Sequence, residues 1–395
     1  MSENRACFHA CQPPRLVRFG DGARRWAYAR LALKSFGPSL SFRQARHPAL
    51  DGARGLAVLA MVMGHTLDAL LAPAFRDHPW VQEYWKLRGI TAPLFLLVSG
   101  WAVVMALGTK PGAAKDSFGR RFRRALLLLF LGYLLHWPGW GAVRDLGFSD
   151  AMLSKVFQFD ALQCIGASLM LGAMALVVTP NRGARALLLG GLAVGIPLAS
   201  AGMWHAGEHL PVPLQQFIGN GEGSRFPFFP WAGFFFAGAF AAHGLHLLKP
   251  GLAQGFALLA LGGALLALTR WMPIEWTPTS PTMVLYRVAQ GLLVLGVVNL
   301  LPQRLSGMLA PLGRLSLWIY VLHLPVVYGW ADIAGLAQRI GPRLGMAAAL
   351  GVSVALLVGC YLIARFGRWM REQARPWRAG STTLGASVGT ARLGQ

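Results

Sequence analysis

Ten long apolar segments, separated by shorter polar stretches, divide the central part of the chain. Each holds about 17–23 residues, and about 20 apolar residues in a helix cross the hydrocarbon core of a bilayer. Gly, Pro and Trp concentrate at the segment ends. The pattern predicts an all-α fold, a polytopic transmembrane bundle of about ten helices, near residues 50–72, 90–108, 122–138, 160–178, 186–204, 228–247, 252–271, 283–301, 312–331 and 344–366.

The composition agrees with a membrane protein and excludes an ordinary soluble domain. Of the 395 residues, 55% are hydrophobic and 13% are charged, whereas soluble domains carry about 25% charged residues. The net charge of +22 raises nucleic-acid binding as an alternative. Because the arginines cluster at the ends of the apolar segments, they fit topology signals and lipid-surface contacts instead. We therefore expect membrane lipid, and no nucleic acid, among the partners.

Basic residues also predict the orientation and the domain limits. With ten spans both termini share one face, and 27 of the 37 Lys and Arg residues fall on that face. By the positive-inside rule, both termini are then cytoplasmic. Residues 1–45 form a basic cytoplasmic segment, for which a surface helix and disorder both stay open. Residues 46–371 form the transmembrane domain, and the Gly/Ser/Thr-rich residues 372–395 form a flexible cytoplasmic tail.

The first predicted helix carries ionisable residues on one face: Asp51, Arg54, His65 and Asp68. A helix turns about 100° and rises about 1.5 Å per residue, so Arg54 and His65 point within about 20° of each other and lie about 16 Å apart. Ionisable residues inside a span normally face a bundle interior or a water-filled cavity. The shared face favours a functional polar stripe over the alternative of an interfacial anchor and a packed core histidine.

A cluster of arginines begins the third predicted helix: Arg120, Arg121, Arg123 and Arg124. Residues three apart are neighbours on a helix surface, so Arg120 pairs with Arg123 and Arg121 with Arg124. Paired guanidiniums bind phosphate oxygens through two parallel hydrogen bonds. A stop-transfer cluster that fixes the topology is the alternative. The position of Arg54 on the same face of the membrane favours a phosphorylated ligand.

The ninth predicted helix carries a second set of polar residues, Ser316, Tyr320 and His323. Their spacing places them on one helical face. These three residues form either a substrate site or a helix-packing network. Arg88 is a further candidate for a substrate site or such a network, and it lies near the face of the membrane opposite Arg54. Cys7 and Cys11 flank a histidine but lack a second ligand pair, so we expect no metal cofactor.

Together these segments resemble the transmembrane acyltransferase superfamily, which includes the acyltransferase-3 proteins and the heparan-α-glucosaminide N-acetyltransferase-like proteins. Residues Arg54–His65 resemble its Arg-x10-His motif, and the arginine cluster resembles its Arg-x-x-Arg motif. Residues Leu94–Trp101 resemble the second helix of the family, and residues Leu312–Pro325 resemble one of its late helices. Trp101 stands where acyltransferase-3 members usually carry Phe. Two further segments are more similar to the glucosaminide acetyltransferase branch: Phe159–Gly166 and Phe226–Gly233.

The resemblance implies an acyl-CoA-dependent O- or N-acetyltransferase of a bacterial inner membrane, acting on a sugar hydroxyl or amine of a surface glycan or lipid. Arg54 and the cluster Arg120–Arg124 would hold the CoA phosphates. His65 would act as general base, oriented by Asp68, or would carry the acyl group itself. No metal takes part in this expectation, and a homodimer stays open.

Two hypotheses from other functional classes are alternatives to the acyltransferase. Intramembrane Asp and His residues also mark proton relays, so a proton-coupled transporter is an alternative. An inverted internal repeat would support a transporter, and the sequence does not display one. A non-catalytic membrane scaffold is the other alternative. Binding of acetyl-CoA would separate the acyltransferase from both.

Overall fold

The fold is all-α, as predicted. The structure, a computed structural model, describes residues 48–106, 113–179, 181–219 and 223–388, with side chains described as far as residue 374. Apart from two isolated bridges, this part of the chain contains no β-structure. Its α-helices are α1 Pro48–Leu70, α2 Pro79–Arg88, α3 Thr91–Met105, α4 Ala113–Leu135, α5 Gly139–Leu146, α6 Asp150–Val156, α7 Ala161–Val178, α8 Arg182–Gly207, α9 Val212–Ile218, α10 Phe228–Gly244, α11 Leu252–Thr269, α12 Pro281–Leu300, α13 Gln303–Arg314, α14 Ser316–Tyr328, α15 Leu336–Arg339 and α16 Met346–Val388.

Nine of the ten predicted segments each coincide with one helix, and the segment 312–331 covers the end of α13 and all of α14. Within the described residues, seven helices are long and apolar enough to cross a membrane, or up to nine if each of two bent pairs is one span. The remaining predicted segment is α10, which has 17 residues. Large apolar side chains face outward on α8, α11 and α16, among them Leu187, Phe256 and Val354. Such an exterior fits a lipid environment and would be unusual in water.

Helix α1 lies at the centre of the bundle and contacts α3, α12, α13, α14 and α16. Gly55 and Gly313 allow the backbones of α1 and α13 to touch, because a Cβ on Gly55 would collide with the Leu309 carbonyl and one on Gly313 with the Asp51 carbonyl. Close backbone approach through small residues is the usual way in which membrane helices pack. The helix that carries the polar stripe is therefore held from several sides.

Two bends depart from the pattern of simple spans. Helices α4 and α5 meet at 72°, and α13 and α14 meet at 60°. The predicted single segment 312–331 therefore begins inside α13 and continues, after the bend, as α14. Such breaks at membrane depth occur where backbone lines a protein-enclosed or water-filled site. Both bends place polar residues at the ends of helices.

The structure describes the predicted C-terminal tail in part, but not the predicted N-terminal segment. The basic segment 1–45 lies outside the described residues. The last helix runs to Val388, whereas the composition predicts a flexible tail from residue 372. Helical structure thus extends past the limit expected for the transmembrane domain.

Candidate functional site

His65, on α1, lies against two residues of α14. Its Nδ1 atom is 2.9 Å from the hydroxyl oxygen of Tyr328. Its ring centroid is 5.4 Å from those of both His323 and Tyr328. The polar faces that the sequence predicts separately for these two helices therefore meet. His65 is only partly buried.

The hydrogen bond of His323 fixes which of its ring nitrogens carries the proton. Its Nδ1 is 2.9 Å from the carbonyl oxygen of Ile319, and a carbonyl only accepts, so Nδ1 donates. The Nε2 lone pair is then free, and within the described residues it has no hydrogen-bond partner although His323 is fully buried. The ring of Tyr320 is 5.7 Å away. Ser316, the third residue of this predicted set, begins α14 at the bend.

Asp68 does not orient His65 as predicted. Its carboxylate lies 3.8 Å from the Arg88 guanidinium, and the hydroxyl of Tyr328 occupies Nδ1 of His65 instead. Arg88 also donates to the carbonyl oxygen of Gly64, at 3.0 Å. A Cβ at Gly64 would lie 2.8 Å from the Arg88 side chain, so glycine is needed for this approach. Arg88 and Asp68 thus hold the last turns of α1 that present His65.

A buried ion pair that the sequence analysis did not single out lies near this pair of histidines. Nε2 of His136 is 3.3 Å from a carboxylate oxygen of Asp160, and Nδ1 is 2.9 Å from the Gly132 carbonyl. A carbonyl oxygen only accepts, so Nδ1 donates to Gly132, and Nε2 faces the carboxylate of Asp160. The charge of Asp160 also acts on the side chain of Tyr320, so the two groups are close. Asp160 therefore links His136 to the polar face of α14.

The sequence around Asp160 explains its position. Asp160 caps α7, because its other carboxylate oxygen accepts from the backbone N–H of Ala161 at 2.7 Å and Gln163 completes a capping box. Burial raises the pKa of this carboxyl, but the hydrogen bond and charge of His136 outweigh it and keep the pKa below its ordinary value. The Asp-x-x-Gln spacing is a recognisable cap; nothing in it signals the distant His136.

Arg225 completes the polar network from the loop before α10. The backbone N–H of Arg225 donates to the Phe159 carbonyl at 3.1 Å, which places the residue next to Asp160. Its guanidinium lies 5.8 Å from the ring centroid of Tyr328. A cation thus lies beside the tyrosine that contacts His65.

An open cavity of about 350 Å³ lies beside this network. Its lining includes His136 and Tyr328, so it touches both the ion pair and the partner of His65. It also includes the indole rings of Trp137 and Trp330 and the amide of Gln338. Apolar and aromatic walls with a few polar groups are typical of small-molecule sites.

The opposite end of α1 holds the arginines. Arg54 is 3.9 Å from Asp51, and its side chain is 25% exposed. Arg124, on α4, is close enough for its charge to act on Arg54. The structure therefore brings together two of the predicted phosphate-binding residues from different helices, at the end of α1 away from His65.

The two predicted Arg-x-x-Arg pairs have different surroundings. Arg121 is buried and donates to the carbonyl oxygen of Val103 at 3.2 Å. Arg124 is the member that lies near Arg54. Arg120, Arg123 and Arg124 are all exposed. The pair Arg121/Arg124 is thus the one that combines a buried guanidinium with a neighbour of Arg54.

The family model described as an acyltransferase domain, that of the acyltransferase-3 proteins, matches residues 47–365. The chain belongs to the acyltransferase-3 family. No curated protein matches it. The matched range lies within the predicted transmembrane domain and includes both ends of α1. This acyltransferase-3 protein is a multi-pass membrane acyltransferase, and the resemblance drawn from its motifs is confirmed.

The polar groups of this acyltransferase are divided between two ends of one helix. One end holds Arg54 within electrostatic range of Arg124, an arrangement suited to an anion. The other holds His65 with Tyr328 and His323, suited to proton transfer. Since α1 is continuous between them, Arg54 and His65 are separated by the rise of eleven helical residues, about 16 Å.

Proposed function

We propose that this membrane acyltransferase moves an acyl group, in the first place acetyl, from acyl-CoA to a hydroxyl or amine of a sugar in a surface glycan or lipid. The observation that carries the proposal is the unbroken helix α1, with Arg54 beside Arg124 at one end and His65 at the other. CoA has the matching form, with phosphates at one end and a thioester at the end of an extended arm. Phosphates at the arginines would place the thioester near His65.

His65 acts as the general base in this proposal. This role requires the tautomer in which Nδ1–H donates to the Tyr328 oxygen, 2.9 Å away, because the Nε2 lone pair then takes the proton of the acceptor hydroxyl or amine. The acceptor atom forms a bond to the thioester carbonyl carbon, and the tetrahedral intermediate expels the CoA thiolate. The thiolate then receives the proton from His65. An acyl-histidine route uses the same nitrogen as nucleophile and stays open.

The cavity beside Tyr328 is the proposed acceptor site. The indole faces of Trp137 and Trp330 suit the C–H faces of a sugar ring, and His136 and Gln338 supply polar groups at the wall. A sugar there would approach His65 from the end of α1 opposite the arginines. Donor and acceptor would thus enter from different faces of the membrane and meet at His65.

Direct binding and product analysis test this function. Purified protein in nanodiscs should bind acetyl-CoA, and a strain lacking the gene should lose an acetyl-sized mass increment from a surface glycan or lipid in mass spectrometry. Restoring the wild-type gene should restore the increment. Absence of acetyl-CoA binding together with unchanged glycans and lipids would contradict the acyltransferase mechanism proposed here.

The orientation of the chain is a separate prediction. Because Lys and Arg concentrate on the face shared by the termini, a reporter that is active only in the cytoplasm should give signal when fused after Gln395. A reporter active only outside should stay silent at the same site. The reverse result would place the arginines on the outer face and remove them from cytoplasmic CoA.

A further inference from the structure

The buried guanidinium of Arg121 has an unused donor. Arg121 is only 8% exposed, and one terminal nitrogen donates to the Val103 carbonyl. The other, Nη1, is buried and has no hydrogen-bond partner within the described residues. An unpaired buried donor on a charged group carries a large desolvation cost. Such an atom indicates a ligand that supplies acceptor oxygens.

A second arginine, Arg185 on α8, is near enough for its charge to act on this group. Its charge acts on Arg121, and its own guanidinium is held at the end of α7, where it donates to the hydroxyl and carbonyl oxygens of Thr179 at 3.4 Å. Arg185 comes from a part of the chain that the motif analysis did not single out. The packing of separate helices therefore brings the two guanidiniums within electrostatic range of each other.

Carboxylates do not neutralise this pair within the described residues. The ion pairs found there involve Arg54, Lys86, Arg88, His136, His205 and Arg368, and neither Arg121 nor Arg185 is among them. Exposed Arg120 adds a further positive charge near Arg121. Like charges held close together repel, and a multivalent anion between them would remove the repulsion.

We propose that Arg121 and Arg185 form a second phosphate subsite, which binds the terminal phosphomonoester on the ribose of the CoA donor. This proposal rests on the proposed function. The diphosphate is attached to the arm that reaches the thioester, so it belongs with Arg54 and Arg124, in line with His65. The ribose phosphate is then left for Arg121 and Arg185. A phosphomonoester carries about −1.5 to −2 charge at pH 7, which matches two guanidiniums.

Comparison of acetyl-CoA with 3′-dephospho-acetyl-CoA tests the subsite. In nanodiscs of phosphatidylcholine, the wild-type protein should bind acetyl-CoA about 10- to 100-fold more tightly than the dephospho ligand, the difference expected for one charged hydrogen bond. Arg185→Gln should abolish this preference and leave the affinity for the dephospho ligand unchanged. Arg182→Gln, an equal charge change at an exposed residue of the same helix end, should keep the preference.

The contrary outcomes are distinct. Equal binding of both ligands by the wild-type protein, or an equal loss for both ligands in Arg185→Gln, would overturn the subsite while the proposed function stands. If Arg182→Gln lost the preference as fully as Arg185→Gln, the preference would come from the overall positive charge of this helix end. That result would also overturn the subsite. Failure of the wild-type protein to bind either ligand would overturn both proposals.

The phosphate of a lipid headgroup is the other phosphomonoester that could bind Arg121 and Arg185. Adding phosphatidic acid to the nanodiscs should leave the preference for acetyl-CoA intact if the ribose phosphate occupies the subsite. Competition by phosphatidic acid in the wild-type protein, lost in Arg185→Gln and accompanied by equal binding of the two CoA ligands, would assign the subsite to lipid and overturn the proposal.

Discussion

Replacing His65 by Gln is expected to lower turnover by at least about a hundredfold while the protein still inserts into the membrane and binds acetyl-CoA. Glutamine keeps the size and a hydrogen bond to Tyr328, but an amide does not take a proton at neutral pH. Removal of a general base usually costs about 10²–10⁴ in rate. Acetyl transfer and acetyl-CoA binding, measured on the same purified sample, check the two parts of this result.

Two comparison variants separate catalysis from packing. Asp68→Asn should lose less than His65→Gln, because Asp68 faces Arg88 and acts on His65 only through the end of α1. His323→Gln should also lose less, although its ring lies 5.4 Å from that of His65. Near-normal transfer by His65→Gln with an inactive His323→Gln would place the chemistry on His323 instead.

The double variant Arg121→Gln with Arg124→Gln is expected to weaken acetyl-CoA binding by about a hundredfold or more. Each lost charged hydrogen bond costs about 1.5–3 kcal/mol, and tenfold in affinity corresponds to about 1.4 kcal/mol. The variant removes one guanidinium from each proposed phosphate contact. Direct binding of acetyl-CoA measures the effect, and the amount of protein in the membrane shows whether insertion is preserved.

The same helix supplies a matched control. Arg120→Gln with Arg123→Gln makes an identical change in charge at exposed residues, and it should leave the affinity within a few-fold of wild type. Similar losses in both double variants would mean that the cluster acts by its overall charge. Unchanged affinity in Arg121→Gln/Arg124→Gln would leave the arginines as a topology signal.

The helices could be predicted because their cause is local. A run of about 20 apolar residues must satisfy its own backbone hydrogen bonds inside a bilayer, and a helix does so within the segment. The stripe on α1 could be predicted for the same reason, since the pitch of one helix fixes the angle and rise between Arg54 and His65. The family could also be recognised, because its motifs are short and occur in order along the chain.

The partners of these residues could not be predicted, because they depend on how different helices pack and bend. The sequence offered Asp68 to His65 as the nearest carboxylate on its own helix, whereas the bend between α13 and α14 brings Tyr328 there instead. Asp160 and His136 are 24 positions apart, and only the packing of α4 against α7 joins them.

The sequence by itself determined the membrane-spanning helices, the family and the polar faces of α1 and α14, since these follow from local composition, periodicity and ordered motifs. The tertiary structure alone decided which Arg-x-x-Arg pair includes a buried guanidinium and that Arg185 joins it. It also decided that His65 faces Tyr328. The physical reason is that a helix fixes only the directions of its own side chains, whereas crossing angles and close glycine contacts between helices fix which of them meet.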